Sequence, residues 1–497
     1  ISLGLVGSEM CIRDRIYLYS GTFSFVELAH TGEWVAALAR SGLLIPATIL
    51  LLGGPLGKSS QFPLHEWLPE AMTGPTTVSA LIHAATMVKA GVYLVARFSL
   101  VFYNAALASG SGLELMLPYA QTVAWIGAFT AFLAGTQAMV SRELKKALAY
   151  STISQLGYMF LALGVAFYAE ALIHHGYYGG IYHLASHAVF KALLFLSAGA
   201  VLHAVETKDM FEMGGLKKYM PYTYLVMLVG VLSLSGVPPF TGFFSKDSVL
   251  EAALLGYFEL GNVELLGLFA LGAITAAITA FYSFRIIGLV FHGKPSKHIE
   301  ELEASGHHVH EAPKVMLVPL LILAALTTAM GISNFALKLA GLDVIDKVVS
   351  PLLHHGPEGL IAASGEDAVQ AIAVLTTTAT SLAMVVLGAL PSYLIYVRKQ
   401  LLPEKLTIKP LHKFLWERWY INKLYYLLFV NFTLWFSKGL FEAFEKGVID
   451  KFHYVATKVT FKVTNAIRRT QTGIYTVNMA LAFLGFLLFL VLLFLGL

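Results

Sequence analysis

Residues 182–203 read YHLASHAVFKALLFLSAGAVLH, an apolar run long enough to cross a membrane that nevertheless contains three ionisable side chains. His183, His187 and Lys191 follow one another at intervals of four residues. On an α-helix that interval is slightly more than one turn, so the three side chains stack along one face with a drift of about 40° per step. Because one lysine at a bilayer centre costs roughly 2.5–3.5 kcal/mol on insertion scales, such a row indicates function. The row predicts a proton path along a helix face that contacts protein or water.

The composition is that of a polytopic membrane protein. The 497 residues are 57% hydrophobic and 13% charged, whereas a soluble domain usually has about 25% charged residues. The single cysteine, Cys11, excludes a disulfide framework and a cysteine-ligated cluster. The sequence contains no dinucleotide-binding glycine fingerprint, no phosphate-binding loop and no HExxH motif. We therefore expect no cofactor and no metal in this chain, and no nucleic-acid partner.

The first fifteen residues, ISLGLVGSEMCIRDR, fit the rest of the chain poorly. They begin without Met, and charged residues stand where a span would start. Charges that follow the apolar run argue against a signal peptide. We expect residues 1–15 to be a non-native leader on a truncated reading frame, and we leave them out of the fold prediction.

Apolar windows of about 20 residues predict ten membrane spans. The sixth window is too long for one helix and is interrupted at 235–242, after which Lys246 and Asp247 follow. The first window contains GGPLGK at 53–58, ending on Lys58. Since Pro and Gly disrupt helices, two such breaks indicate an internally repeated transporter with ion sites in mid-membrane. The predicted spans are 43–64, 76–99, 118–140, 146–168, 178–204, 221–258, 265–291, 314–337, 368–397 and 472–496.

Further ionisable residues lie in or beside these spans. Lys145, with Lys146 as the alternative, opens the fourth span, where snorkelling to the headgroups competes with a role in proton transfer. His83 lies in the second span and is either a relay residue or a packed core histidine. Lys89 lies six residues later, about 240° around a regular helix, so we do not group it with His83.

Two segments outside the main spans have distinctive compositions. Residues 398–470 carry fourteen Lys/Arg against five Asp/Glu and many aromatic residues. This pattern predicts amphipathic helices lying on the membrane surface. The loop 292–313 is rich in histidine and is interpreted as solvent-exposed polarity, with a zinc site through His307, His308 and His310 as the alternative.

Four stretches resemble the antiporter-like membrane subunits of respiratory complex I, which share ancestry with the large subunits of multisubunit cation/proton antiporters. The resemblance covers residues 16–497, and the amphipathic segment followed by a final span is similar to the most distal of these subunits. The four stretches are GKSSQFPLHEWLPEAMTGPTTVSALIHAATMVKAGVYLVARF at 57–98, LKKALAYSTISQLGYMFLALG at 144–164, HLASHAVFKALLFL at 183–196 and GVPPFTGFFSKDSVL at 236–250.

This resemblance implies an all-α polytopic membrane fold with inverted helical repeats, broken helices, a lateral amphipathic helix and a final anchor span. It also implies that the first spans of the first repeat, and a glutamate partner of Lys58, are missing from this chain. The expected organisation is a leader at 1–15, the remainder of the first inverted repeat at 16–100, the second inverted repeat at 101–292, additional spans at 293–397, the lateral helix at 398–470 and the anchor span at 471–497.

The resemblance further implies a proton relay. In the implied mechanism the charge of Lys58 biases the proton on Lys191, and Lys246 exchanges that proton with the far side of the membrane. The relay positions of the family fall on Lys58, His83, Lys145 (or Lys146), His183, His187, Lys191, Lys246 and Asp247.

The implied function is proton translocation in an NADH (or related donor):quinone oxidoreductase of a bacterial or archaeal plasma membrane. Quinone, flavin and iron–sulfur centres are expected in partner subunits. The expected partners are the lipid bilayer and other membrane-arm subunits, above all neighbouring antiporter-like subunits along the lateral helix. Two alternatives stay open: a large subunit of a multisubunit Na⁺/H⁺ antiporter, and a structural clamp of the membrane arm with passive lysines.

Overall fold

The described part of the chain consists of helices joined by short loops in the computed structural model. The structure describes residues 14, 16–110, 113–339 and 367–495. Apart from residue 14, the predicted leader 1–15 lies outside these ranges. Within them, the one extended pairing is an isolated antiparallel bridge between Glu143 and Asp209. The all-α prediction is therefore confirmed.

The chain forms two compact units, Ile1–Glu417 and Arg418–Leu497. The first unit begins with short helices: α1 (Phe25–His30), α2 (Glu33–Arg40), α3 (Leu44–Leu51), α4 (Gly53–Lys58) and α5 (Trp67–Glu70). The next helices are α6 (Thr76–Ala80, continued by a π-helical turn over Leu81–Ala85), α7 (Met87–Ala108), α8 (Leu117–Val140), α9 (Leu144–Val165) and α10 (Ile173–Val205). The remaining helices are α11 (Pro221–Ser235), α12 (Thr241–Leu260), α13 (Val263–Phe291), α14 (Lys297–Ala304), α15 (Lys314–Leu339), α16 (Asp367–Ser392), α17 (Pro403–Leu406) and α18 (Lys409–Trp416).

Nine helices in the described ranges are long and apolar enough to cross a membrane. The number is up to ten if the pair Glu33–Arg40 and Leu44–Lys58 is counted as one span, although the helix axis bends by 109° between its two members. One of the nine is the 53-residue helix Arg418–Thr470. At 1.5 Å per residue it is about 80 Å long, far more than a hydrocarbon core of about 30 Å requires. The multi-pass prediction is confirmed, and this helix exceeds the length of an ordinary span.

Helix α9 is the centre of the first unit, because every residue from Ala147 to Val165 is buried. A helix that is enclosed on all sides belongs to the interior of a large bundle. Its closest neighbour is α8: a Cβ atom added at Gly157 would lie 2.5 Å from the main-chain oxygen of Gly127. Small residues allow such close approach between membrane helices. The polar side chains of α9 therefore face other helices and not lipid.

The two predicted helix breaks have different outcomes. The break in the sixth window is confirmed: α11 ends at Ser235, Gly236 adopts a left-handed φ of 79°, and α12 starts at Thr241. In the first window the helix is interrupted at Leu52, between α3 and α4, and ends after Lys58, whereas the segment Gly53–Lys58 is itself helical. Pro55 lies in the first turn of α4, where its missing N–H breaks no helical hydrogen bond.

The second unit consists of one long helix and one shorter apolar helix. Arg418, Trp419 and Tyr420 all have positive φ (52°, 57° and 58°). Left-handed backbone of this kind interrupts a right-handed helix, so the regular α-helical part of Arg418–Thr470 starts at Ile421. The segment predicted over 398–470 is therefore divided, and its first part forms α17 and α18 of the first unit. The helical segments of the second unit are α19 (Ile421–Tyr425), a π segment (Tyr426–Asn431), α20 (Phe432–Leu440), a π segment (Phe441–Asp450), α21 (Lys451–Thr470) and α22 (Tyr475–Phe494).

Candidate functional site

The ionisable row of the opening stretch lies on α10 and is completely buried. His183, His187 and Lys191 each have 0% exposure. The ring centroids of the two histidines are 6.1 Å apart, in an edge-to-face arrangement. The predicted stacking along one helix face is confirmed. We call these three residues the α10 row.

Helix α9 supplies polar partners to both ends of the α10 row. The Nζ atom of Lys191 donates to the hydroxyl of Ser151 and to the main-chain oxygen of Leu148, the latter at 3.3 Å. At the other end, Nε2 of His183 lies 3.1 Å from Oε1 of Gln155. Because an amide oxygen only accepts, this ring nitrogen donates. All three partners are uncharged, so they orient the row without neutralising it.

Helix α12 contacts the α10 row through a hydroxyl. Nδ1 of His183 lies 2.9 Å from Oγ of Ser245. Since Nε2 of the same ring donates to Gln155, a neutral His183 accepts a hydrogen bond from Ser245 at Nδ1. Both ring nitrogens of His183 are thus engaged by neighbouring helices, which fixes the orientation of the ring.

Lys246 lies beside the break between α11 and α12. Its Nζ atom donates at 2.6 Å to the main-chain oxygen of Leu234, in the last turn of α11. Carbonyl groups in the last turn of a helix lack intrahelical donors, so the break creates this acceptor. Nζ also lies 5.5 Å from the ring centroid of Tyr158, on α9. The break therefore provides a buried binding position for an ammonium group.

Asp247 faces a different helix from Lys246. Its two carboxylate oxygens accept hydrogen bonds from Thr378 (2.7 Å) and Ser381 (2.8 Å), both on α16. The adjacent residues Lys246 and Asp247 thus connect α12 to α11 on one side and to α16 on the other.

The structure distinguishes the two candidates at the start of α9. Lys145 is 3% exposed and donates at 2.7 Å to the main-chain oxygen of Gly74. Lys146 is partly exposed and forms an ion pair with Glu143 at 3.0 Å. Of the two, Lys145 alone points into the first unit, so the geometry favours it as the site residue.

His83 lies on a π-helical turn, at Leu81–Ala85, and is fully buried. Its ring centroid is 4.5 Å from that of Phe195 on α10. It is also within electrostatic range of Lys145 and Lys191. Single π turns inside α-helices are frequent at functional sites. His83 is therefore positioned between the start of α9 and the α10 row.

Lys58 is not brought into this cluster. It is the last residue of α4, and its side chain is exposed. Seven of the eight predicted site residues therefore lie inside the first unit, whereas Lys58 lies at its surface.

Lys89 lies beside the α10 row, although the sequence interpretation did not group it with the predicted site residues. It is 6% exposed, and its Nζ atom donates at 2.7 Å to the main-chain oxygen of Leu184 on α10. The spacing argument assumed a regular helix between His83 and Lys89. The chain there forms a π turn and then departs from helical geometry at Thr86 (φ −123°, ψ −91°), so the regular 100° step does not hold.

The hydrogen-bonding partners of the α10 row were also missed. Ser151 and Gln155 are four residues apart in the fourth span, with Tyr158 three residues later. Such spacing places polar side chains on one helix face, so the signal was available in the sequence. Ser245 carries no comparable signal, because only the packing of α12 against α10 brings it to His183.

The histidine-rich loop contains side chains engaged with the backbone. Nε2 of His298 lies 2.9 Å from the main-chain oxygen of Val205, and Nδ1 of His310 lies 2.8 Å from that of Glu311. In the ranges that the structure describes, no three metal-ligating side chains converge. At His292, burial and the nearby Lys217 ammonium hold the pKa of the imidazole below its usual value.

The fold and the site together define an integral membrane, multi-pass helix bundle of the antiporter-like class, with buried lysines and histidines beside a broken helix. The family described as NADH:quinone oxidoreductase/Mrp antiporter, TM matches residues 11–279. The chain belongs to this family.

Relatives from bacteria and archaea match along nearly the whole chain. NADH-quinone oxidoreductase subunit L of Neisseria meningitidis serogroup B is 36% identical over 97% of this chain and 70% of its own length. F(420)H(2) dehydrogenase subunit L of Methanosarcina mazei is 38% identical over 93% of this chain and 66% of its own length. Among solved structures, a chain of the Mrp complex from Dietzia sp. shares the fold with a TM-score of 0.55 and 21% identity, over 71% of this chain and 68% of that one.

Proposed function

We propose that this chain is a proton-translocating membrane subunit of a multisubunit donor:quinone oxidoreductase. In this proposal it moves protons along buried lysines and histidines, and quinone reduction in partner subunits drives the movement. The observation that carries the proposal is the α10 row, with Lys89, Lys145 and Lys246 around it. Intramembrane ionisable residues that face the interior of a bundle are characteristic of proton pathways.

Lys191 is the central proton carrier in this scheme. Its ammonium group is held by a hydroxyl and a main-chain oxygen, Ser151 and Leu148, and both are neutral. A buried positive charge without an opposite charge is costly. Lys191 therefore gives up its proton readily when the charge of a neighbouring residue changes. Lysine suits this task because its ammonium group, unlike a guanidinium, can be deprotonated in proteins.

Like-charge repulsion couples Lys191 to its neighbours. Lys89 and Lys246 both lie within electrostatic range of it. Like charges repel more strongly inside a helix bundle than in water, because the effective dielectric is lower there. A proton arriving at one lysine therefore disfavours a proton on the next.

Histidines and water connect the lysines. Among the described residues, no protein partner hydrogen-bonds to either ring nitrogen of His83 or His187. Buried polar groups are almost always hydrogen-bonded, and water is the partner available to such groups in a hydrated pathway. Neutral imidazole accepts a proton at one nitrogen and releases it from the other. His83 therefore suits transfer between Lys145 and Lys191, and His187 suits transfer between Lys191 and His183.

The test is Lys191→Ala in the intact complex, assayed in inverted membrane vesicles. We expect quinone reduction to continue while the number of protons moved per quinone falls. Lys218→Ala, which removes an exposed lysine, is the matched control and should behave as wild type. An unchanged proton yield in Lys191→Ala would overturn the relay. An acidification that depends on sodium, with no quinone reductase in the complex, would identify the chain as an antiporter subunit instead.

A further inference from the structure

A second set of contacts continues from the α10 row toward the first residues of α10. On α10 it comprises His183, Gly179 and His175, at intervals of four residues. On α12 it comprises Ser245, Ser248 and Glu251, at intervals of three. Each interval is about one helical turn, so each set lies along one side of its helix. The two sets meet at three successive contacts, His183 with Ser245, Gly179 with Ser248 and His175 with Glu251, which we call the α10–α12 ladder.

The first contact of the ladder is the 2.9 Å hydrogen bond between His183 and Ser245. The second is a close backbone approach, because a Cβ atom added at Gly179 would lie 3.1 Å from the main-chain carbon and oxygen of Ser248. The third joins Nδ1 of His175 to Oε1 of Glu251 at 3.7 Å. Polar groups therefore lie on both sides of the point where the two helices are closest.

The ladder leads from the interior to the edge of the unit. His183 is fully buried, whereas 27% of the His175 side chain is exposed. Eight residues of α-helix separate the two, a rise of about 12 Å. Glu251 is 6% exposed, which is unusual for a carboxylate, since Glu is rarely buried without a partner. Here the partner is the histidine at the edge.

We propose that the α10–α12 ladder is a proton connection between His183 and one surface of the membrane, with Glu251 and His175 as its terminal acceptor and donor. The inference rests on the proposed function, because it assigns one end of the same pathway. A proton leaves the His183 ring, and each hydroxyl or water in between accepts one proton and releases another. The Glu251 carboxylate then takes up a proton and passes it to Nδ1 of His175, the ring nitrogen that faces it, and the ring releases a proton from Nε2 to bulk water.

Ser248 fills the interval between the first and third contacts. Its hydroxyl donates to the main-chain oxygen of Phe244 at 2.9 Å, so it must rotate, or be bridged by water, to take part. Gly179 leaves this interval free of a side chain on the α10 side. The ladder thus provides the acidic, basic and hydroxyl groups that proton transfer needs, all on two packed helix faces.

The experiment compares Glu251→Gln with Glu251→Asp, Lys191→Ala and Glu259→Gln in the intact complex. Glu259 is a partly buried carboxylate eight residues further along α12 and serves as the matched control. We expect Glu251→Gln, which keeps the shape but cannot take up a proton, to reduce the proton yield per quinone to the Lys191→Ala level. Glu251→Asp should restore most of the yield, and Glu259→Gln should leave it unchanged.

The outcomes separate the ladder from the proposed function. A normal proton yield in Glu251→Gln, with a loss in Lys191→Ala, would overturn the ladder alone. A normal yield in Lys191→Ala would overturn the relay itself. A loss in Glu251→Gln that Glu251→Asp does not restore would indicate a packing role and count against the ladder. If the complex that carries Glu251→Gln does not assemble, His175→Asn tests the same contact from its other side. An unchanged proton yield in His175→Asn would then overturn the ladder.

Discussion

The side-chain nitrogen of Lys89 donates a 2.7 Å hydrogen bond to the main-chain oxygen of Leu184, the residue after His183. This contact joins α7 to α10 at the level of the α10 row. It places a further buried lysine within electrostatic range of His187 and Lys191. The row therefore has one more ionisable neighbour than the sequence interpretation allowed.

The first prediction concerns this lysine. Lys89→Met removes one of the like charges that act on Lys191, so we expect the proton yield per quinone to fall while quinone reduction persists. The measurement is vesicle acidification per quinone reduced. The exposed Lys218→Met serves as the control. A wild-type yield in Lys89→Met would show that Lys89 packs against α10 without contributing to transfer.

The second prediction uses the two adjacent lysines of α9. Lys145→Ala removes a buried ammonium group and leaves the main-chain oxygen of Gly74 without its donor, whereas Lys146→Ala breaks a partly exposed ion pair with Glu143. Exposed ion pairs contribute about 0–1 kcal/mol. We expect Lys145→Ala to lose proton yield and Lys146→Ala to retain it. The reverse ranking would assign the role to Lys146.

The third prediction tests the support of Asp247. Thr378→Val and Ser381→Ala each remove one hydroxyl that donates to this carboxylate. A hydrogen bond to a charged group contributes about 1.5–3 kcal/mol, so each change should lower the unfolding temperature of the purified complex. The double variant should also reduce the proton yield, because Asp247 loses its fixed orientation. Thr328→Val on α15, whose hydroxyl donates only to a backbone oxygen of its own helix, is the control.

The fourth prediction tests the close packing of α8 against α9. In Gly157→Ala the new methyl group would lie 2.5 Å from the main-chain oxygen of Gly127, so the helices must separate. Overpacking of this kind costs about 1–3 kcal/mol or more. We expect a lower unfolding temperature and less assembled complex. Gly485→Ala, where nothing lies within 4 Å of the added atom, should match wild type; equal stability of the two variants would contradict the packing.

Much of the fold and part of the site could be predicted from the sequence. Apolar windows predicted the spans, because burial in a bilayer requires about 20 apolar residues whatever the tertiary structure. The helical repeat predicted the α10 row, since regular helix geometry fixes which residues share a face. Pro238 and Pro239 predicted the break beside Lys246, because proline cannot complete the helical ladder.

Only the tertiary structure decided which groups on different helices meet. Lys89 reaches Leu184 because a π turn and an irregular residue at Thr86 disturb the regular helical spacing. The choice of Lys145 over Lys146 follows from the position of the Gly74 carbonyl, 71 residues away in sequence. Contacts of this kind depend on how helices cross and how closely their backbones approach. No local pattern encodes that geometry, whereas span length and helical periodicity are local and can be read from the sequence itself.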